Sequence, residues 1–360
     1  MSSRPRVLFC VLLALILVAL TGCHAASEAL EDLHHHHHHS AHDADERESK
    51  DEDAGKKTPS PSPESPTPSP QVALPTPEAS VPAGPSASTS PVPPPITKAA
   101  PGAGHVLLLV LENHSFGQII GSPDAPYLNR LANKYGLVVN YQAVSHPSLP
   151  NYLALTGGST FGITSDCTSC SVNAQNLADQ LEGRGLTWKA YLDGMPSACF
   201  PGASSGDYAK KHNPFLYYND IAGDPARCQR SIVPLSALSQ DLAAGTLPNF
   251  SFVAPDQCHD MHSCSVAQGD AWLGSFLPGV LGSQAFQAGG TIFITFDEGT
   301  HSDNHVATLV IGPHVRGGSQ FAASYDHYSL LRTVEDLFGL DHLGRASAQQ
   351  TASLADVLPR

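Results

Sequence analysis

The sequence predicts an α/β fold: a doubly wound, mostly parallel sheet with helices on both faces, preceded by a long tether. Three observations predict it. The apolar runs "HVLLLVLEN" (105–113), "NFSFVAPD" (249–256), "TIFITFDEG" (291–299) and "VATLVIGPHV" (306–315) are continuous, as suits strands covered on both faces. Between them, "APYLNRLANKY", "NAQNLADQLEGRG" and "SLLRTVEDLFGL" space apolar residues three and four apart, the pattern of an amphipathic helix. Strands alternating with helices make βαβ units and so parallel neighbours.

From the N terminus, residues 1–22 read as an export signal. Arg4 and Arg6 precede "VLFCVLLALILVAL", a run too short for a comfortable membrane span, and small residues follow. The "LTGC" ending resembles a bacterial lipoprotein signal, which would make Cys23 the first mature residue and the lipid-bearing one. An ordinary secretion signal cleaved nearby is the alternative. Each buried methylene adds roughly 0.8 kcal/mol, so several acyl chains on one cysteine anchor stably. The expected location is the cell envelope, anchored to the outer face of the membrane.

Residues 23–100 form the tether. Six histidines at 34–39 are followed by "DADERESKDEDAGKK" and then by a Pro/Ser-rich stretch reaching "PVPPP". Such a composition cannot bury enough apolar surface to offset its ordering entropy, and proline keeps it extended. The hexahistidine reads equally as a metal-scavenging tract or an engineered tag, and lies outside the expected site. Residues 101–360 hold enough Leu, Val, Ala and Gly for one sizeable catalytic domain. A formal charge of −14 argues against nucleic acid as the main partner.

Of eight cysteines, Cys10 leaves with the signal and Cys23 takes the lipid. Cys167, Cys170, Cys199, Cys228, Cys258 and Cys264 remain, an even set that in an exported protein reads as disulfides. The sequence leaves their connectivity open; local pairing, 167–170, 199–228 and 258–264, is the expectation. "CTSC" could instead be a redox or zinc pair, but no second CxxC accompanies it.

In open α/β sheets, ligands bind beyond the carboxyl ends of the strands. There the sequence puts Glu112-Asn113-His114 after the first run and Asp297-Glu298 after another. "PDQCHDMHSC" follows a third, with Asp256, His259, Asp260 and His262. Each acid alone could be a helix cap or a solvated loop residue; together they could hold a hard or borderline divalent cation. In "SHPSLPNYLALTGG" (145–158), Pro147 and Pro150 are expected to delay the helix until after Asn151. Ser148 then stands at a helix N-terminus, where free N–H groups favour an anion. A hydroxyl, a cation and a helix N-terminus at one point suit phosphoryl transfer. The alternative is that Ser148 only caps the helix.

"VLENHSFGQIIG", "HPSLPNYLALTGG", "YAKKHNPFLYYND", "HDMHSCSVAQGDAWL", "FITFDEG" and "DHYSLLRTVEDLFGL" occur in the order found in the bacterial phosphoesterase family. This set resembles that family over residues 104 to 342; it groups secreted acid phosphatases with phospholipase C enzymes on an alkaline-phosphatase-like fold. The resemblance implies that Ser148 is the nucleophile, passing through a phosphoserine. It implies a divalent metal ion, of unspecified identity, at Glu112, Asn113, Asp297 and Glu298 with Asp260. His212 and His262 would line the phosphate site, and His146 and His327 fall in matching motifs. Read as residues alone, the alternatives are that His146 hydrogen-bonds in the turn presenting Ser148, that His327 caps the last helix, and that His212 lies on a solvated face. His301 and His314 read as surface or supporting residues. The implied substrates are phosphate esters, small phosphomonoesters or phosphoinositides. The compact domain favours a phosphatase over a phospholipase C-type diesterase. A non-catalytic, metal-binding surface lipoprotein is the rival from another class.

Overall fold

The computed structural model describes residues 104–356 and 358. The signal, Cys23, the hexahistidine and the tether lie outside the described residues. Eight strands form one sheet: β1 (Val106–Leu111), β2 (Gly136–Val138), β3 (Trp188–Leu192), β4 (Ile232–Pro234), β5 (Phe250–Ala254), β6 (Thr291–Phe296), β7 (Thr308–Ile311) and β8 (Ser319–Phe321). Their order is β8-β2-β7-β6-β1-β5-β3-β4. From β6 to β4 all neighbours are parallel. β7 runs antiparallel to both β6 and β2. The reason is the connection: only residues 297–307, with no helix, join β6 to β7, and a parallel partner needs a longer crossover.

The core lies where the apolar runs predict. All six residues of β1 are buried, and successive side chains point to opposite faces, so both faces of the sheet centre are covered. Each Leu or Val buried there contributes roughly 1.5–3 kcal/mol. The helix Pro126–Lys134 packs against Val266–Leu281, and Ser148–Gly157 packs against His327–Phe338.

The Ser148–Gly157 helix starts four residues earlier than its prolines suggest. Pro147 is its N-cap and Pro150 sits in the first turn. The N–H groups of a first turn have no intrahelical partner, so a proline there removes no helical hydrogen bond. Every residue of this helix is buried. It ends at Gly158, whose φ of 70° is left-handed, and a Cβ there would run into the Leu343 carbonyl.

Three disulfides join Cys167 to Cys170, Cys199 to Cys228 and Cys258 to Cys264, the local pairing. "CTSC" is therefore a closed bridge, which leaves no thiolates for zinc.

Candidate active site

Strand register brings the acids together. Leu111 of β1 pairs with Phe296 of β6, so the residues that follow, Glu112 and Asp297, leave the sheet side by side. The Asp297 N–H donates to the Leu111 carbonyl (2.9 Å), and the Asn113 N–H donates to Asp297 Oδ1 (3.1 Å). Asn113 has a φ of 51°, a left-handed conformation that Asn tolerates better than most residues. On the other side of β1, the Glu112 N–H donates to the Asp260 carbonyl (2.9 Å). Asp260 and His262 sit in the loop closed by Cys258–Cys264. The His262 N–H donates to Asp260 Oδ1 (2.8 Å).

The Ser148 hydroxyl donates to Glu112 Oε2 (3.1 Å). Ser148 also interacts with the Asp297 carboxylate. His212 is not on a solvated face: it is 2 % exposed, with Nε2 3.3 Å from Glu112 Oε2 and Nδ1 3.3 Å from Asp260 Oδ2. His146, on the rim, lies 2.5 Å from Glu298 Oε2 through Nδ1.

Two expectations need correction. His327 neither caps its helix, a role taken by Asp326, nor offers a free nitrogen for catalysis. Fully buried, it is 2.9 Å from the Tyr141 hydroxyl through Nδ1 and 2.6 Å from the Asp297 carbonyl through Nε2. Its effect on the site runs through the Asp297 backbone. Of the acids after the third apolar run, Asp260, the one the resemblance implies, is the residue that reaches Glu112, while Asp256 with Asp193 holds His259 Nδ1 (3.2 and 2.7 Å) in a separate cluster. The helix N-terminus is also less open than expected. Asp166 Oδ1 accepts from the Leu149 N–H (2.9 Å), and Pro150 has no N–H to offer.

Three side chains went unnoticed in the sequence. Tyr152 lies one turn after Ser148 on the same helix face, donates its hydroxyl to Glu112 Oε1 and stacks on His212, with ring centroids 5.4 Å apart. The i, i+4 spacing would have revealed it had the helix been started at Ser148. Lys211 donates to Asp166 Oδ2 (3.2 Å) and lies 3.4 Å from His262 Nε2. Asp166 carries no periodic signal; only the fold brings it to residue 149.

The site is short of positive charge. Burial, with the charges of Glu112 and Glu298, pushes the Asp297 carboxyl well above its ordinary range. Burial likewise pushes Glu298 up, and raises Asp260 to about 6. Burial alone would also raise Glu112, but the neighbouring His212 charge, with Tyr152 and Lys211, holds it below its ordinary value. The same pairing overcomes burial at His212 and lifts it to about 9. Asn113 Oδ1, Asp260 Oδ2, Asp297 Oδ2 and His212 Nε2 are buried without a hydrogen-bond partner. Glu112, His212 and Asp260 offer ligand atoms within 4.8 Å of one another. The orphaned oxygens of Asn113, Asp260 and Asp297 are the hard acceptors a divalent cation requires, so the oxygen set fits one.

Residues 122–341 match the family model described as "Phosphoesterase family". The phosphatidylinositol-3-phosphatase of Mycobacterium tuberculosis is 36% identical over 253 residues, covering 69% of this chain and 81% of that protein. The phosphate-repressible acid phosphatase of Penicillium chrysogenum is 32% identical over 229 residues, 61% of this chain and 55% of that one, so the chain spans little over half of the fungal protein. A solved structure of an alkaline phosphatase superfamily protein from Vibrio parahaemolyticus superposes with a TM-score of 0.51 at 15% identity, over 72% of this chain and 71% of the other, a likeness of fold. The fold is alkaline-phosphatase-like. The chain belongs to the phosphoesterase family, and with it to the hydrolases of phosphoric ester bonds.

Proposed function

We propose that the protein is an exported, lipid-anchored acid phosphatase that hydrolyses phosphomonoesters, phosphoinositides among them, through a phosphoserine intermediate. The observation carrying this reading is the Ser148 hydroxyl donating to the buried Glu112 carboxylate, with His212 and Asp260 behind it. The names of the mycobacterial and fungal relatives support the substrate class. Glu112, Asn113, Asp297 and Glu298, with Asp260, would hold a divalent cation, whose chemistry is charge neutralisation on the transferring group. Ser148 Oγ bonds to phosphorus as the ester P–O bond breaks, its proton directed at Glu112 Oε2. Tyr152 and His212 fix that carboxylate from either side. His262 lines the phosphate site, His212 acts on it through Glu112 and Asp260, and the leaving alkoxide takes its proton from water. Water then cleaves the phosphoserine, releasing phosphate and restoring the hydroxyl. His146 orients Glu298.

Ser148→Ala should abolish phosphate release from 4-nitrophenyl phosphate while leaving the melting temperature little changed; near-full turnover would reject the nucleophile. Products from a mono- and diester panel separate this reading from a phospholipase C, which would free diacylglycerol from phosphatidylcholine. Lipid attachment at Cys23 is read from the "LTGC" signal. The mass of the mature N-terminal peptide should carry the acyl chains on Cys23, and an unmodified peptide starting elsewhere overturns the anchor.

A further inference from the structure

We infer that Lys211 contacts the substrate's phosphoryl group and favours phosphomonoesters over diesters, with Asp166 as the residue that positions it. The inference rests on the phosphatase reading of the Ser148 site and names what selects its substrate. Ser148 and its neighbours present Glu112, Asp260, Asp297, Glu298 and Asp166, a markedly acidic wall for an enzyme that must admit an anion. The helix N-terminus gives limited relief, since Asp166 already occupies the Leu149 N–H. Positive charge must come from elsewhere, and a phosphomonoester dianion needs more of it than a diester monoanion.

Lys211 meets the requirement. Its side chain is 18% exposed, its ammonium sits between Asp166 Oδ2 and His262 Nε2, and its charge acts on Glu112 and Asp297. An ammonium has three donors, and these two contacts engage no more than two of them. Asp166 sets its place: one carboxylate oxygen is fixed on the nucleophile's helix, the other holds the ammonium. The loop carrying Asp166 is itself fixed. Cys167–Cys170 follows directly, and Lys210 Nζ donates to the Thr168 carbonyl (2.8 Å). Asp166 thus ties the attacking serine and the phosphoryl-binding lysine to one rigid point.

The test compares 4-nitrophenyl phosphate with bis(4-nitrophenyl) phosphate in the full-length protein. Loss of one charge-assisted hydrogen bond made only to the dianion should lower kcat/KM for the monoester about tenfold or more in Lys211→Met. The diester should lose much less, so the selectivity ratio narrows, chiefly above about pH 6, where the monoester carries its second charge. Inhibition by inorganic phosphate should weaken in parallel, and Lys211→Arg should recover most of both. An equal fall on the two esters, with phosphate inhibition intact, overturns the inference. Should Lys211→Met fail to fold, Asp166→Asn takes its place: it keeps an acceptor for Leu149 but releases the ammonium. The ratio should narrow in the same sense, and an unchanged ratio overturns the positioning. Ser148→Ala separates the two levels: if it stays active the underlying reading falls, whereas if it is dead and the ratios hold, only this inference does.

Discussion

Glu335 is a buried acid far in sequence from the catalytic groups, on the helix His327–Phe338. It accepts the Leu343 N–H (2.9 Å) through Oε1, while Oε2 has no partner. Burial, with Asp336 and Asp341 nearby, pushes its carboxyl up to about 8, against the Leu343 hydrogen bond and Arg332. The native state therefore keeps a proton that the unfolded chain, titrating near 4.5, gives up. Between those two values unfolding releases a proton, so stability falls as pH rises through the window and levels off above it. Glu335→Gln keeps the acceptor and removes the titration. It should be more stable than the parent near pH 8, by on the order of 1–3 kcal/mol, and similar near pH 4.5. Urea unfolding at both pH values checks this; parallel pH slopes in the two proteins would refute it. His327 has the opposite bias: burial lowers it to about 4, so it stays a neutral imidazole, able to donate one hydrogen bond and accept the other.

At the scale of elements, the Ser148–Gly157 helix connects the site to the rest of the fold. Its first two turns present Ser148 and Tyr152 to Glu112, and its C-cap Gly158 passes close to the 343–344 backbone, where the Arg345 N–H donates to the Gly158 carbonyl (2.8 Å). Gly158 and Gly162 both have left-handed φ, 70° and 74°, but a Cβ meets backbone only at Gly158. Gly162→Ala should thus cost about 1–2 kcal/mol, the left-handed penalty alone. Gly158→Ala should cost that and more, on the order of 3 kcal/mol, because the Leu343 carbonyl must move. Thermal melts of the two variants measure the difference, and equal losses would mean that the contact yields freely. The sequence marks this helix by its prolines and its Gly-Gly ending, yet misplaces its start. Proline reads as a breaker unless its position within the first turn is known. That single shift hid Tyr152, whose i, i+4 relation to Ser148 exists only if the helix begins at the serine.

For the whole molecule, the sheet was legible because hydrophobic runs report burial on both faces, and the acids because strand ends follow those runs. Register was not legible: the pairing of Leu111 with Phe296, which sets Glu112 beside Asp297, depends on contacts between residues far apart in sequence. The residues alone left Asp256 and Asp260 open, and only the family resemblance singled out Asp260, which lies in the loop closed by Cys258–Cys264. The assembled acids bear on metal dependence. Four carboxylates converge with His212 and Lys211 as the main opposing charges, and several of their oxygens are orphaned. Such a site should be more stable with a cation than without, because burying unpaired like charge is costly. A chelator should abolish phosphate release and lower the melting temperature, and a divalent ion should restore both. Protein lacking residues 24–100 should behave the same way, since the hexahistidine would be gone and the Glu112–Asp297 site kept. Loss of metal response in that truncated protein would assign the metal to the tract. Full activity in chelator, with an unchanged melt, would leave the buried acids to work by hydrogen bonding and His212 alone.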